Sequence, residues 1–351
     1  MNNSINYLFI QGTFSRSPLF VRHEINMKSS IFSRLFCKPF YNTANLKCQA
    51  CLFSHILQQV LLIDNIIYSR YNAVSNQNVE FHKCLFSDVV SQSSCGGALY
   101  CTDCRLSIIS CKFQNCRSDS QAGGFALIRN NLVMKSTCFY SCSCVKTNEN
   151  GGNAFLCSNV NISISQSSAF YTSPVKSISG DSVFDVSQNI SNVNSWNSSF
   201  CNGNLGSSGG SFRSVIEGTK YIYGCVYNCS DHNSFEGWGS RIVVEKSNFL
   251  YNMRNDYCFM YGNSNLNMLL KECCFYQNKR ELLSSYQSFS FENCISDYGY
   301  KGIATTASIV YINMPSLELC IQEILVNQIC TIKTHVIPWN PTILSFMILY
   351  D

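Results

Sequence analysis

The chain has 351 residues, 25 Lys and Arg against 21 Asp and Glu, a net charge of +4, and 46% hydrophobic against 13% charged residues. That mix is too apolar for a disordered chain, and basic residues scattered singly, with Lys279-Arg280 as the only basic doublet, exclude the electrostatic footprint of a nucleic-acid binder. Its 22 cysteines exceed ordinary usage but fall short of the density of a small disulfide scaffold, which leaves the redox compartment open.

In chain order, residues 1–45 carry no recognised repeat and are assigned to an N-terminal cap or irregular segment. Within them Tyr7-Leu8-Phe9-Ile10 is followed at once by Gln11-Gly12-Thr13, too short an apolar run for a secretory signal, so none is expected. From Leu46 a template recurs: apolar, any, apolar, any two, small (Cys, Ser or Thr), any, Phe. A weak copy, Leu46-Cys48-Cys51-Phe53, precedes full copies at Val79-Phe81-Cys84-Phe86, Leu106-Ile108-Cys111-Phe113 and Leu132-Met134-Thr137-Phe139. A copy ending at Phe170 has its apolar pair slipped to Ile162 and Ile164. Next come the weak copies Val193-Ser195-Ser198-Phe200 and Lys220-Ile222-Cys225-Tyr227. Full copies return at Ile242-Val244-Ser247-Phe249 and Met268-Leu270-Cys273-Phe275, and Phe289-Phe291-Cys294 ends in Ser296. Residues 297–351 lose the template and are assigned to a C-terminal cap or additional irregular coils. There Pro338 and Pro341 interrupt the apolar stretch that ends at Leu349; no run reaches the ~18 apolar residues of a membrane helix, so no membrane span is expected.

A second motif keeps time with the first. Gly96-Gly97-Ala98, Gly123-Gly124-Phe125-Ala126 and Gly151-Gly152-Asn153-Ala154 place Ala98, Ala126 and Ala154 28 residues apart. Apolar residues at the first and third places alternate as in a half-buried strand, and the shift to the sixth and eighth places changes parity, which requires a corner between two strands. Glycine pairs mark sharp turns. One coil buries too few apolar side chains to offset the ordering of its own backbone, so coils must stack and place like residues over like. The pattern predicts an all-β fold, a right-handed parallel β-helix solenoid of about ten coils over residues 46–296 with irregular terminal caps.

Gly96-Gly97-Ala98-Leu99 and the Phe-x-x-Asn runs Phe249 to Asn252 and Phe275 to Asn278 resemble the repeats of polymorphic outer-membrane proteins and of β-helix surface proteins of parasitic protists, within the pectin lyase-like superfold. Most copies here replace that Asn, as at Cys116, Cys142 and Gly203. The resemblance, over about residues 46–296, implies an adhesin-like solenoid without enzymatic activity, displayed at a cell surface or secreted. The residues themselves assign no location.

No catalytic, cofactor or metal residue is assigned. Cysteines at the small place (Cys51, Cys84, Cys111, Cys225, Cys273, Cys294) exchange with Ser198, Ser247 and Thr137, which reads as packed small side chains rather than obligatory bridge partners. Cys48-x-x-Cys51 and Cys101-x-x-Cys104 are some fifty residues apart and lack a His pair, against a zinc site. His23, His55, His82, His232 and His335 belong to different coils or caps. Arg241 with Glu245 reads as a solvated pair. Trp196, Trp238, Tyr221 and Tyr223 are candidate sugar platforms, with a core role the favoured reading. Asn161, Asn189, Asn197 and Asn228 are glycosylation sequons, used only on a secretory route.

The expected function is a non-enzymatic binding or scaffold surface for protein or glycan ligands, with turns 114–122 and 143–150 as contact loops. A carbohydrate-active β-helix, lyase or glycosidase, is the alternative; at least three of Asp181, Asp185, Asp231, Asp256 and Glu236 in one groove would favour it. A fragment of a larger surface protein is the third reading.

Overall fold

The computed structural model describes residues 3–11, 25–35, 40–41, 45–57, 60–63, 77–92, 95–145, 151–173, 181–187, 189–202, 210–230, 235–239, 241–252, 260–262, 267–278, 288–296 and 308–309. Among them every regular element is a β-strand, and every strand pairing is parallel between one coil and the next, as in a β-solenoid. This is the expected fold class.

The ladder of apolar third places runs Ile5, Met27, Cys48, Phe81, Ile108, Met134 and Ile164, and continues through Val193, Tyr221, Val244, Leu270 and Phe291. The coil count differs slightly from ten. The ladder also reaches upstream of the expected boundary at 46, because Ile25-Met27-Ser30-Phe32 is itself a full copy of the template and stacks in register on Leu46 to Phe53. Residues 25–33 are therefore coil rather than cap. Of residues 297–351 the structure describes the short strand Ser308–Ile309, which pairs with Ser288–Ser296; the rest of that expected cap lies outside the described residues.

The corner that the parity shift demands is a single residue in the left-handed region. Lys83, Ser110, Ser136, Gln166, Ser195, Tyr223, Lys246 and Glu272 take φ between 49° and 58° at the first corner of their coils. A second corner follows five residues later, at Asp88, Asn115, Ser141, Tyr171, Phe200, Asn228, Tyr251 and Gln277, with φ between 47° and 57°. This conformation is costly for a residue with a Cβ. It is held because corner N–H groups still donate to the next coil, as Ser110 does to the Lys135 carbonyl at 2.9 Å and Asn115 to the Tyr140 carbonyl at 2.9 Å.

The small residue after the first corner has a chemical task. Cys84, Cys111, Thr137, Cys273 and Cys294 donate S–H or O–H to the third-place carbonyl one coil back, on Cys48, Phe81, Ile108, Val244 and Leu270, at 3.3–3.5 Å. After the second corner, Cys116, Cys142, Cys201, Cys229, Asn252 and Asn278 donate to the carbonyl of the Phe place one coil back. Cys and Asn thus do one job at the end of Phe-x-x-Asn. In the coil of residues 191–202 that place belongs to Cys201 rather than to Gly203, which lies outside the described residues. Burial pushes the Cys84, Cys116 and Cys273 thiols up, keeping them as neutral donors. Seventeen described cysteines are free thiols, and Cys138 is disulfide-bonded.

The Phe column forms as expected. Rings stack from Phe32 to Phe53, Phe86, Phe113 and Phe139 with centroids 4.6–5.2 Å apart and planes within 15°. A second column, Phe125, Phe155 and Phe184, faces it at 5.1 Å spacing. Between residues 162 and 226 the first column is interrupted. The register puts Ala169, Ser198 and Val226 under Phe139, so Phe170, Phe200 and Tyr227 are not in the core, and three of the weaker template readings shift by one or two residues. Trp196, in the small place, fills the gap against Phe139, Phe155 and Phe184, and its indole N–H donates to Ser198 Oγ at 2.8 Å. Tyr221 takes an aliphatic place, with Gly224 leaving room for its ring.

The glycine pairs allow close backbone approach more than reversal. A Cβ on Gly97 would lie 1.9 Å from the Gly123 carbonyl oxygen, and one on Gly124 would meet the Phe139 ring at 2.8 Å. Register aligns Ala98 and Ala154 with Gly124, whereas Ala126 lies on the opposite side of its strand, buried beside Tyr100 and Leu156. Turn 114–122 is partly a third side of the coil: Arg117–Ser118 pairs with Val90–Ser91 and Ser143–Cys144 in a small second sheet. The turn at 143–150 is described as far as residue 145.

Candidate binding surface

Because side chains alternate along the short strand, the residue of the Phe place points into the core, and the residue after it and the second corner that follows lie on the outer side of each coil. In the upstream coils the corner itself carries Arg34, His55, Asp88 and Asn115. Asp88 sits 4.0 Å from His55 and accepts a 2.9 Å hydrogen bond from Asn115 Nδ2, an inter-coil polar row.

From Tyr140 onward the same edge becomes aromatic. Tyr140, Tyr171, Phe200, Tyr227, Tyr251 and Tyr276, one per coil, form an unbroken chain of ring contacts with centroids 5.3–5.9 Å apart. Two positions contribute to it. Tyr140, Tyr227 and Tyr276 end the short strands, whereas Tyr171, Phe200 and Tyr251 are the left-handed corner residues. Contacts between the two positions are perpendicular, at 76–90°, and the contact between neighbouring corner residues, Tyr171 with Phe200, is stacked at 18°. Tyr171 is 51% exposed, Tyr140 and Phe200 38% each. At the upstream end Lys112 Nζ lies 5.8 Å from the Tyr140 ring. None of these six residues was singled out as a functional candidate from sequence. The aromatic doublets Phe139-Tyr140, Phe170-Tyr171 and Phe275-Tyr276 carried the signal.

A different face holds the carboxylates. Tyr100, Ala126, Leu156, Asp185, Ser211 and Glu236 line up one per coil on the outward side of their strands. Asp185 is 1% exposed; its Oδ2 lies 3.3 Å from Arg213 Nη2, and Arg213 Nε donates to Ser211 Oγ at 3.2 Å. Trp238 Nε1 donates to Glu236 Oε1 at 2.8 Å. Burial raises the Asp185 carboxyl to about 7, the Arg213 guanidinium opposing and Glu236 adding to the rise. Of the five acidic residues named from sequence, Asp185 and Glu236 therefore share one face. Asp181 starts the same strand as Asp185, and Asp231 and Asp256 lie outside the described residues.

The other named residues divide. Trp196 and Tyr221 are core, as favoured, whereas Trp238 and Tyr223 are exposed at 37% and 50%. Glu245 pairs with Lys246 at 3.6 Å rather than with Arg241, because Arg241 begins the strand and Lys246 is the corner residue next to it. His82 and Glu80 lie 3.6 Å apart on the surface; His23, His232 and His335 are outside the described residues. Among the sequons, Asn161 and Asn228 are exposed, but Asn197 is buried and accepts from Ser199 Oγ. Among the described residues no group of three or more His, Cys, Asp or Glu side chains is placed to hold a metal ion, and no helix is long and apolar enough to cross a membrane.

No protein-family model matches the chain, and a search of curated proteins returned no match.

Proposed function

We propose that the chain is a non-enzymatic, adhesin-like binding scaffold whose solenoid presents a repetitive outer edge to protein or glycan ligands. The supporting observation is the aromatic ladder from Tyr140 to Tyr276, in which Tyr140, Tyr171 and Phe200 are exposed and Tyr227, Tyr251 and Tyr276 half-buried. Large rings on a rigid, hydrogen-bonded frame lose little conformational freedom on binding, the property that enriches aromatic residues at interfaces. The direct test compares the purified chain with a Tyr171→Ser/Phe200→Ser double variant on arrays of surface proteins and glycans. Both side chains are solvent-exposed, so the expected result is loss of binding with an unchanged melting temperature. Equal binding by the two proteins would end this reading.

A carbohydrate-active enzyme is the second reading, favoured by Asp185 and Glu236 on one face with Arg213 paired to Asp185 and by a carboxyl whose titration lies near neutrality. Release of reducing ends from polysaccharides, abolished by both Asp185→Asn and Glu236→Gln, would replace the scaffold reading with this one.

A further inference from the structure

We infer that the ligand of the aromatic edge is an uncharged, extended polysaccharide that lies along the solenoid axis and meets one ring per coil. The inference rests on the binding reading above and adds the chemical class of the ligand.

Charge is the first support. Positions 138–141, 168–171, 197–200, 225–228, 248–251 and 274–277 make up the short strand and second corner of six successive coils, and they contain no Asp, Glu, Lys, Arg or His. The equivalent positions of the four coils upstream carry Arg34, His55, Asp88 and Lys112. A phosphorylated, sulfated or uronic ligand, or a nucleic acid, would give up its hydration along this edge and meet, among the described residues of these strands and corners, a counter-charge only at its upstream end, from Lys112. An uncharged ligand has no such loss.

Periodicity is the second. The rings recur once per coil, a rise of about 4.8 Å, and their centroids are 5.3–5.9 Å apart because they come from two positions of the coil. A ligand that uses several rungs at once must repeat at about the same rise. An extended peptide presents same-face side chains every ~6.6 Å and falls out of step by nearly two rungs over the ladder. A linear chain of pyranose rings advances by close to one ring per coil. A helix has a similar pitch, about 5.4 Å, but docks an aliphatic stripe into an apolar groove. Here the one aliphatic side chain among the outward positions of these strands, Leu250, is 1% exposed.

The chemistry of the rim is the third. Five of the six rings are tyrosines with a phenolic hydroxyl, and the exposed amides Asn228 and Gln277 stand at corners among them, Gln277 Nε2 donating to the Tyr276 hydroxyl at 3.1 Å. Apolar ring faces with donors and acceptors at their edges match a sugar, whose C–H faces are apolar and whose rim is hydroxyl.

Affinity electrophoresis of the full chain tests this in gels containing hydroxyethyl cellulose, xyloglucan, galactomannan or dextran, with polygalacturonate and heparin gels as charged comparisons. Retardation is expected in at least one neutral gel, insensitive to added salt. It should weaken about tenfold in Tyr171→Ser/Phe200→Ser and persist in Tyr171→Trp, which keeps a ring. Retardation only in charged gels, or retardation that the double variant retains, overturns the inference. Retardation in no gel also overturns it. In that case binding of a surface protein by the wild-type chain and not by the double variant leaves the broader reading standing, and absence of both removes the two together.

Discussion

The coils of residues 25–139 and those of residues 162–226 solve one packing problem in two ways. Upstream, each coil contributes a Phe to one column, from Phe32 to Phe139, and the ring below fills the space beside the ring above. In the central coils the column is occupied by Ala169, Ser198 and Val226, and the volume is supplied from neighbouring places by Trp196 and Tyr221. A solenoid core therefore conserves volume per coil rather than residue identity per position. The displaced aromatic residues, Tyr171 and Phe200, stand at left-handed corners instead, where they continue the outer ladder.

The largest test of this comparison removes a ring from each region. Phe113→Ala and Trp196→Ala should both destabilise by about 3–5 kcal/mol in chemical denaturation, since each leaves a cavity that the hydrogen-bonded coils cannot collapse to fill. If Trp196→Ala were nearly neutral, the claim that it replaces the missing Phe would fail.

Second is the pH dependence that the central coils have through Asp185. Its carboxyl is raised by burial to about 7, so the native state holds a proton that the unfolded chain gives up near the ordinary carboxylate value. Stability contributed by this group is full at low pH and falls as pH rises through the window from about 4 to about 7, by at most about 4 kcal/mol. Asp185→Asn should flatten that part of the profile in thermal melts from pH 4 to 8; an unaltered profile would show that Asp185 is ionised in the fold throughout.

Forcing the upstream solution onto the central coils comes third. Ser198→Phe alone should cost about 1–3 kcal/mol, because Trp196 already occupies the space, and Ser198→Phe with Trp196→Ser should recover much of that loss. Fourth, Tyr221 has a buried hydroxyl with no hydrogen-bond partner, so Tyr221→Phe should stabilise by about 1 kcal/mol or more. Smallest is the donor test upstream. Cys111→Ser keeps a donor to the Phe81 carbonyl and should stay within about 1 kcal/mol of wild type, and Cys111→Ala should be the worse of the two.

Where one residue does one job in every coil, the fold was legible in the linear chain. The alternation Leu106, Ile108 and the step to Cys111 and Phe113 named two strands and a corner, and the exchange of Cys with Thr137 already implied a small polar side chain rather than a bridge. Residues 25–32 show the limit of such reading: they match the template in full yet lie in the expected cap, and their stacking on Leu46 to Phe53 makes them coil. The outer ladder is not legible in the linear chain, because its rings come from a strand end in some coils and from a corner in others, one residue apart in register, so no fixed sequence spacing links them.

By itself the sequence determined that strands alternate with corners and that like residues recur with a coil's period; these depend on local parity and composition. Only the tertiary structure decided which aromatic of a coil points inward, that Trp196 stands in for a Phe, and that Asp185, Arg213 and Glu236 meet on one face. Those outcomes depend on the volume and charge left by the coils above and below, a quantity that no single repeat contains.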